Sequence, residues 1–141
     1  MKLEILSFNW KLFKSNYATF VSVSTKSWEI TVLEWHEAII SSIIPSVLTI
    51  KYENKNWSVI EKEFAIWRWI IETWNNEIKI LIDVFISDEE LNIEKAEEAK
   101  KEALKIMEKY KNSKDQIDMT KFIEAEDMLY RSIAQLKMKR K

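Results

Sequence analysis

Glu77-Ile78-Lys79-Ile80-Leu81-Ile82-Asp83, and soon after it Ser87-Asp88-Glu89-Glu90 followed by Ala96-Glu97-Glu98-Ala99-Lys100-Lys101-Glu102-Ala103, are written in two different grammars. The first stretch is a short β-rich run, the pattern of a strand. The second places Ala96, Ala99, Ala103, Ile106 and Tyr110 three and four residues apart, which lays one narrow apolar stripe along a helix. Ser87 with Glu90 three residues later has the form of a capping box, so a helix is predicted from this point to about Lys111. The change of period near residues 84–90 divides the chain.

Upstream, short β-rich runs recur: Met1–Phe8, Tyr17–Ser24, Glu29–Leu33, Val47–Tyr52, Trp57–Glu63 and Ile70–Thr73, before Glu77–Asp83. They are separated by turn-like breaks at Asn9, Lys26-Ser27, Asn54-Lys55-Asn56 and Asn75-Asn76. Strands at this spacing with no helix between them predict an antiparallel β-sandwich or flattened barrel over residues 1–86. Downstream, Asn112–Gln116 is a polar break. A second helix is predicted from about Asp118 to Lys139, with Phe122, Ala125, Leu129, Ile133 and Leu136 on one side. A short connection makes the two helices antiparallel neighbours, so residues 87–141 are expected to form a helical hairpin. The fold class is therefore α+β, a sandwich followed by a hairpin. Nearly half of the hairpin's residues are charged, with the signs balanced. It buries little surface and should be marginally stable alone and able to change position.

Composition removes several function classes. The 141 residues carry a net charge of -1, which argues against a nucleic-acid partner. Without cysteine there is no disulfide framework, thiol chemistry or thiolate metal site. His36 is the one histidine, and no glycine loop is present to cradle phosphate. No catalytic constellation and no metal site are expected. Met1-Lys2-Leu3-Glu4 enters a strand pattern directly, and no apolar run is long enough to span a bilayer. A cytosolic chain is predicted, peripheral to any membrane complex it joins.

Seven tryptophans and no glycine stand where average usage would put about ten glycines. Every tryptophan lies within the first 74 residues, in turn company such as Asn9-Trp10, Ser27-Trp28, Asn56-Trp57 and Trp74-Asn75-Asn76. Asn-Gly is a strong hairpin signal because both residues accept positive φ; tryptophan has no such role. Some bacteria read UGA as glycine and others as tryptophan. The tryptophans are expected to occupy glycine positions.

The same residues carry a resemblance to the epsilon subunits of F-type ATP synthases over nearly the full chain. Met1-Lys2-Leu3-Glu4-Ile5-Leu6 with Lys11-Leu12-Phe13 resembles that family's first hairpin. Trp28-Glu29-Ile30-Thr31-Val32-Leu33-Glu34-Trp35-His36 is similar to its pattern Gly-Glu-x-x-x-Leu-Pro-Gly-His, with tryptophan at both glycine positions and Glu34 for proline. Ile43-Ile44-Pro45-Ser46-Val47-Leu48 resembles a Pro-Gly turn into a strand, and Trp67-Arg68-Trp69-Ile70-Ile71-Glu72 resembles Ser-Gly-Gly-x-x-Glu. Ile78–Asp83 and Ala96–Ala103 are similar to the family's last strand and first helix.

The resemblance implies a non-catalytic subunit of the rotating central stalk. Its partners would be the gamma subunit, the c ring and the alpha and beta catalytic subunits, at the cytoplasmic face of a bacterial plasma membrane. It implies coupling of ion transport to ATP synthesis and restraint of ATP hydrolysis by the hairpin. Glu29 and His36 match polar positions that contact the ring, and Arg68 and Glu72 lie in a turn expected to face gamma. In some relatives the hairpin binds ATP through Leu/Ile-Asp-x-x-Arg-Ala. Here Leu91-Asn92-Ile93-Glu94-Lys95-Ala96 puts Asn92 and Lys95 at the Asp and Arg positions, Arg131 matches an arginine of the second helix, and Gln135 stands one turn later. Lysine lacks the guanidinium fork, so ATP is expected to be a weak regulatory ligand at most, and no cofactor is expected. The basic tail Lys137–Lys141 would meet acidic segments of the catalytic subunits when the hairpin extends.

Two other readings share parts of this pattern. A carbohydrate-binding sandwich would stack sugars on its tryptophans, and needs several indoles on one sheet face. A generic adaptor would dock a partner helix on its hairpin.

Overall fold

In the computed structural model, which describes residues 1–8 and 10–139, the two grammars become two kinds of layer. The first half forms ten strands: β1 (Lys2–Ser7), β2 (Leu12–Ser15), β3 (Ala18–Ser24), β4 (Glu29–Leu33), β5 (Ile39–Ile43), β6 (Ser46–Glu53), β7 (Val59–Ile66), β8 (Trp69–Trp74), β9 (Glu77–Ile82) and β10 (Phe85–Ser87). They make two five-stranded sheets, ordered β2-β1-β9-β8-β5 and β10-β7-β6-β3-β4. The sandwich predicted from the alternation is present. Its pairs are antiparallel except one: β1 runs parallel to β9, with Ile5 opposite Ile80.

Alternation decides the core. Leu3 and Ile5 of β1, Val21 and Val23 of β3, Ile71 of β8 and Ile78, Ile80 and Ile82 of β9 point between the sheets and are buried. Full burial of side chains of this size stabilises by about 1.5–3 kcal/mol each, so this layer holds most of the fold's stability. Ile44-Pro45 carries the chain from β5 in one sheet to β6 in the other, where proline's missing N–H costs no ladder bond.

The turns show how the chain reverses without glycine. Between β8 and β9, Asn75 (φ 50°) and Asn76 (φ 62°) form a two-residue loop with positive φ at both positions, the primed turn that matches strand twist. Asparagine tolerates this region. Trp10 (φ 65°), Trp35 (φ 62°) and Trp57 (φ 59°) occupy it too. A residue with a Cβ costs roughly 1–2 kcal/mol there. Trp28, Trp67, Trp69 and Trp74 are not among the positive-φ residues. The indoles do not gather as a core: Trp10, Trp28, Trp35, Trp57, Trp69 and Trp74 are all exposed, Trp10 at 92%.

The helical half is α1 (Ile93–Tyr110) and α2 (Gln116–Lys139), antiparallel as predicted. Small residues face one another, with Ala96 and Ala103 buried on α1 and Ala125 and Ser132 on α2. The capping box starts something shorter than expected. Ser87 donates its N–H to the Glu90 carboxylate at 3.2 Å, but only a single 3-10 turn, Asp88–Glu90, follows. The helix itself begins at Ile93, where Asn92 is the cap and accepts the Lys95 N–H at 3.1 Å. α2 lies across β6 and β7. Ala134 and Met138 pack there on Ala65, with Val47, Trp67, Ile86 and Leu91 around them. Met138 is thus part of the hairpin's seat rather than of a free tail; Arg140 and Lys141 of the basic tail lie outside the described residues.

Candidate partner-docking surfaces

Among the described residues no group of His, Cys, Asp or Glu is arranged to hold a metal ion, and no helix is long and apolar enough to cross a membrane. The chemistry on offer is that of surfaces, and three can be built from the residues upward.

The first is the outer face of the β2-β1-β9-β8-β5 sheet. Cross-strand partners share a face. Leu12 pairs with Leu6, Leu6 with Leu81, and Leu81 with Ile70, so one apolar row crosses four strands on the side away from the core. Leu6, Leu12 and Leu81 are exposed. Phe8 extends the row and meets Trp69 edge-to-face at 5.2 Å, and a recess of about 210 Å³ lies among Leu6, Ser7, Phe8, Trp10 and Leu81. The next row is charged: Glu4 opposite Lys14 and Lys79, and Lys79 opposite Glu72. Glu72 therefore belongs to a solvated ladder beside an apolar band. Period-two reading alone could have found this face, since Leu6, Leu12 and Leu81 fall on the outward parity of strands whose inward parity is also apolar. A contiguous exposed apolar band of this kind marks an interaction surface.

The second is the turn after β4. The His36 N–H donates to the Leu33 carbonyl at 3.1 Å, closing a four-residue turn with Trp35 at its third position. The Trp35 N–H donates to Asn76 Oδ1 at 2.9 Å, which ties this turn to the β8–β9 turn. His36 is half-buried, with Nδ1 2.8 Å from the Glu37 carbonyl. Glu29 is not beside it. It begins β4 while His36 follows that strand's end, a separation on the order of 15–20 Å at strand rise. Ser22 Oγ donates to the Glu29 carboxylate. Glu29 instead borders a cleft of about 630 Å³ between the sandwich and α2, lined also by Pro45, Ser46, Glu63, Tyr130 and Lys137.

The third is the seat of the hairpin. Asp127 of α2 accepts from Arg131 Nη2 at 2.7 Å and lies 3.6 Å from Arg68 Nε, so Arg68, nominated for an outside partner, pairs with the protein's own helix. The Arg131 guanidinium stands 5.4 Å from the Trp67 ring centre, and its Nε is buried with no partner among the described residues. These groups lie far apart in sequence, which is why no local pattern revealed them. A latch at the domain junction adds to the seat. Lys11 Nζ donates to the Phe85 carbonyl at 3.2 Å and to the Glu90 carboxylate. The bond from Lys11 holds the Glu90 carboxyl below the ordinary 4.5, helped by the Ser87 N–H.

The three residues nominated for nucleotide do not present an open ligand set. Asn92 spends its side-chain oxygen on the helix cap, and Arg131 is engaged by Asp127 and Trp67. Lys95 is exposed at the same end of the hairpin.

Comparison with known proteins agrees across the chain. Residues 1–88 match the family described as ATP synthase, Delta/Epsilon chain, beta-sandwich domain. The ATP synthase epsilon chain of Neisseria meningitidis serogroup B is 30% identical over 97% of this chain and 91% of its own length. The epsilon chain of Neisseria gonorrhoeae is 31% identical with the same coverage. Among solved structures, a chain of the Euglena gracilis mitochondrial ATP synthase (OSCP/F1/c-ring, rotational state 1) superposes with a TM-score of 0.75 at 18% identity, covering 99% of this chain and 80% of that one. A chain of the Tetrahymena thermophila mitochondrial ATP synthase central stalk and c ring gives 0.52 at 16% identity, covering 64% of this chain and 68% of that one.

Proposed function

Because the chain belongs to the epsilon-chain family of ATP synthases, we propose that it is a non-catalytic subunit of the rotating central stalk, which helps couple ion flow through the c ring to ATP synthesis and restrains ATP hydrolysis through its hairpin. The observation that carries the regulatory part is how little of α2 the sandwich covers. The helix sits on the sandwich through Ala134, Met138 and one ionic cluster. Met119, Ile123 and Tyr130 of α2 stay exposed, Tyr130 at the edge of the cleft, and Leu104 is exposed on α1. An element held by few contacts, with apolar side chains left uncovered, has two placements of similar free energy. Seated, it leaves rotation free. Extended, these side chains and its basic end engage gamma and the alpha and beta subunits.

The sandwich supplies docking. The apolar row Leu12–Leu6–Leu81–Ile70 with its charged neighbour row containing Glu72 is the gamma-facing surface. His36 and Glu29 are the ring-contacting groups, offered from opposite ends of β4, so a contact that uses both must span that strand. Docking by hydrogen bonding and charge suffices; no proton relay is required. Association with the membrane is peripheral, through the complex, on the cytoplasmic face. ATP binds weakly, because Asn92 and Arg131 are committed within the hairpin.

Deleting residues 88–141 in the assembled enzyme tests the reading. Assembly should persist and ATP hydrolysis should rise. Unchanged hydrolysis would remove the inhibitory role, and failure of alpha, beta and gamma to copurify with the intact chain would remove the stalk assignment itself.

A further inference from the structure

Three turns of the sandwich are built for a residue without a side chain, and each carries tryptophan. In the first, the Trp10 N–H donates to the Ser7 carbonyl at 3.1 Å, and the Ser7 N–H donates to Lys11 O at 3.1 Å. Trp10 stands at φ 65° just past the turn. The β6–β7 hairpin repeats this arrangement. The Trp57 N–H donates to the Asn54 carbonyl at 3.0 Å, Asn54 Oδ1 accepts from Asn56 and Ser58 N–H groups, and Trp57 follows at φ 59°. A turn followed by one left-handed residue before the strand resumes is the bulge that glycine normally fills. In the third, Trp35 occupies the third position of the turn closed by His36 and Leu33, with φ 62°, the position where a type II turn requires glycine.

A bulky side chain held in this region would need packing to compensate, and these have none. Trp10 is 92% exposed, Trp57 79% and Trp35 75%. The other positive-φ positions among the described residues, Asn75 and Asn76, are of the type that tolerates the region. The chain contains seven tryptophans and no glycine. One exchange of residue identity accounts at once for the surplus of exposed indole and the three backbone conformations, and it accounts for the missing glycine where the gene writes every glycine as UGA.

We propose that the seven tryptophan positions carry glycine in the protein as its own cell makes it, decoded from UGA codons. Trp10, Trp35 and Trp57 carry the inference; Trp28, Trp67, Trp69 and Trp74 follow because one codon assignment governs all seven.

Two measurements test it. The protein purified from the organism that encodes it should have an intact mass lower by seven exchanges of an indole-bearing side chain for hydrogen. Its peptides spanning positions 10, 35 and 57 should contain glycine, and its near-ultraviolet absorbance should be that of tyrosine alone. Indole at any of those three positions overturns the proposal, as does a UGG codon at any of them. Separately, the chain made with tryptophan should melt lower than the same chain carrying Trp10→Gly, Trp35→Gly and Trp57→Gly, while the corresponding alanine triple recovers less. A glycine triple that melts no higher than the tryptophan chain would remove the conformational basis of the inference.

Discussion

The interior of the sandwich and the seat beneath α2 both join two layers, but by opposite means. Between the sheets, branched aliphatic side chains such as Ile5, Val21, Ile71 and Ile80 interlock across a continuous buried layer. Beneath α2 the wholly buried apolar contact is Ala65, Ala134 and Met138, and the remainder is the Arg68–Asp127–Arg131 cluster with Trp67. The first arrangement has no alternative of comparable energy. The second is small, partly ionic and leaves Arg131 Nε without a partner among the described residues, the kind of seat that the proposed second placement of the hairpin requires. The difference teaches that how firmly two layers are joined here is set by the kind of residue at each interface, not by secondary structure.

That comparison breaks most visibly in the core. Ile80→Ala should cost about 2–5 kcal/mol, the range for an aliphatic truncation in a packed interior, read as a lower denaturant midpoint of the whole sandwich. At the seat, Asp127→Ala leaves the part-buried Arg131 guanidinium without its carboxylate, releases the exposed Arg68 to water, and should weaken docking by about 1–3 kcal/mol. Hydrogen exchange in α2 should accelerate while amides of β1 and β9 keep their protection; equal acceleration in both would mean the layers are one cooperative unit. A smaller effect belongs to single turns. Trp57→Gly should raise stability by about 1 kcal/mol, whereas Trp28→Gly, outside the positive-φ region, should not raise it; thermal melts of the two variants make the check.

The smallest effect is electrostatic. Glu90 titrates below 4.5 because Lys11 bonds its ionised form. Its contribution is therefore present above the unfolded value and lost as pH falls through the folded one. The Glu90 side chain is 44% exposed, so solvent screening limits the latch to a few tenths of a kcal/mol. The stability gap between the native chain and Glu90→Gln should close as pH is lowered from about 6 to about 3; a gap constant across that range would show that the pairing contributes nothing.

Local periodicity revealed most of the fold, and the departures have physical reasons. The strands with strong alternation, β3, β4, β6, β8 and β9, lie within a few residues of their predicted places. β5 went unread because Ile39-Ile40-Ser41-Ser42-Ile43 does not alternate, and β2 and β10 are too short to show a period. The parallel β1–β9 pairing is nonlocal and leaves no mark on either strand. The capping signal at Ser87 is real but serves a 3-10 turn, with Asn92 supplying the helix cap. For the site, sequence placed His36 in its turn, but it set Glu72 in a turn with Arg68, and the structure puts Glu72 within β8, where the Ile70–Thr73 run had already marked a strand. It did not show that Arg68 is claimed by Asp127, because that pairing depends on how α2 crosses the sheet.

The pairing of β1 with β9 also sets an order of events on the ribosome. A strand joined only to β2 is a two-stranded ribbon, which is marginal in water. Leu3 and Ile5 reach their lasting neighbours only when Ile78 and Ile80 have been synthesised, so closure of the β body awaits nearly all of its own length and is slow relative to local folding. A nascent chain halted before that point would display the apolar face of its first strand to chaperones, whereas one halted just after it would already have a finished platform on which the emerging helices can land.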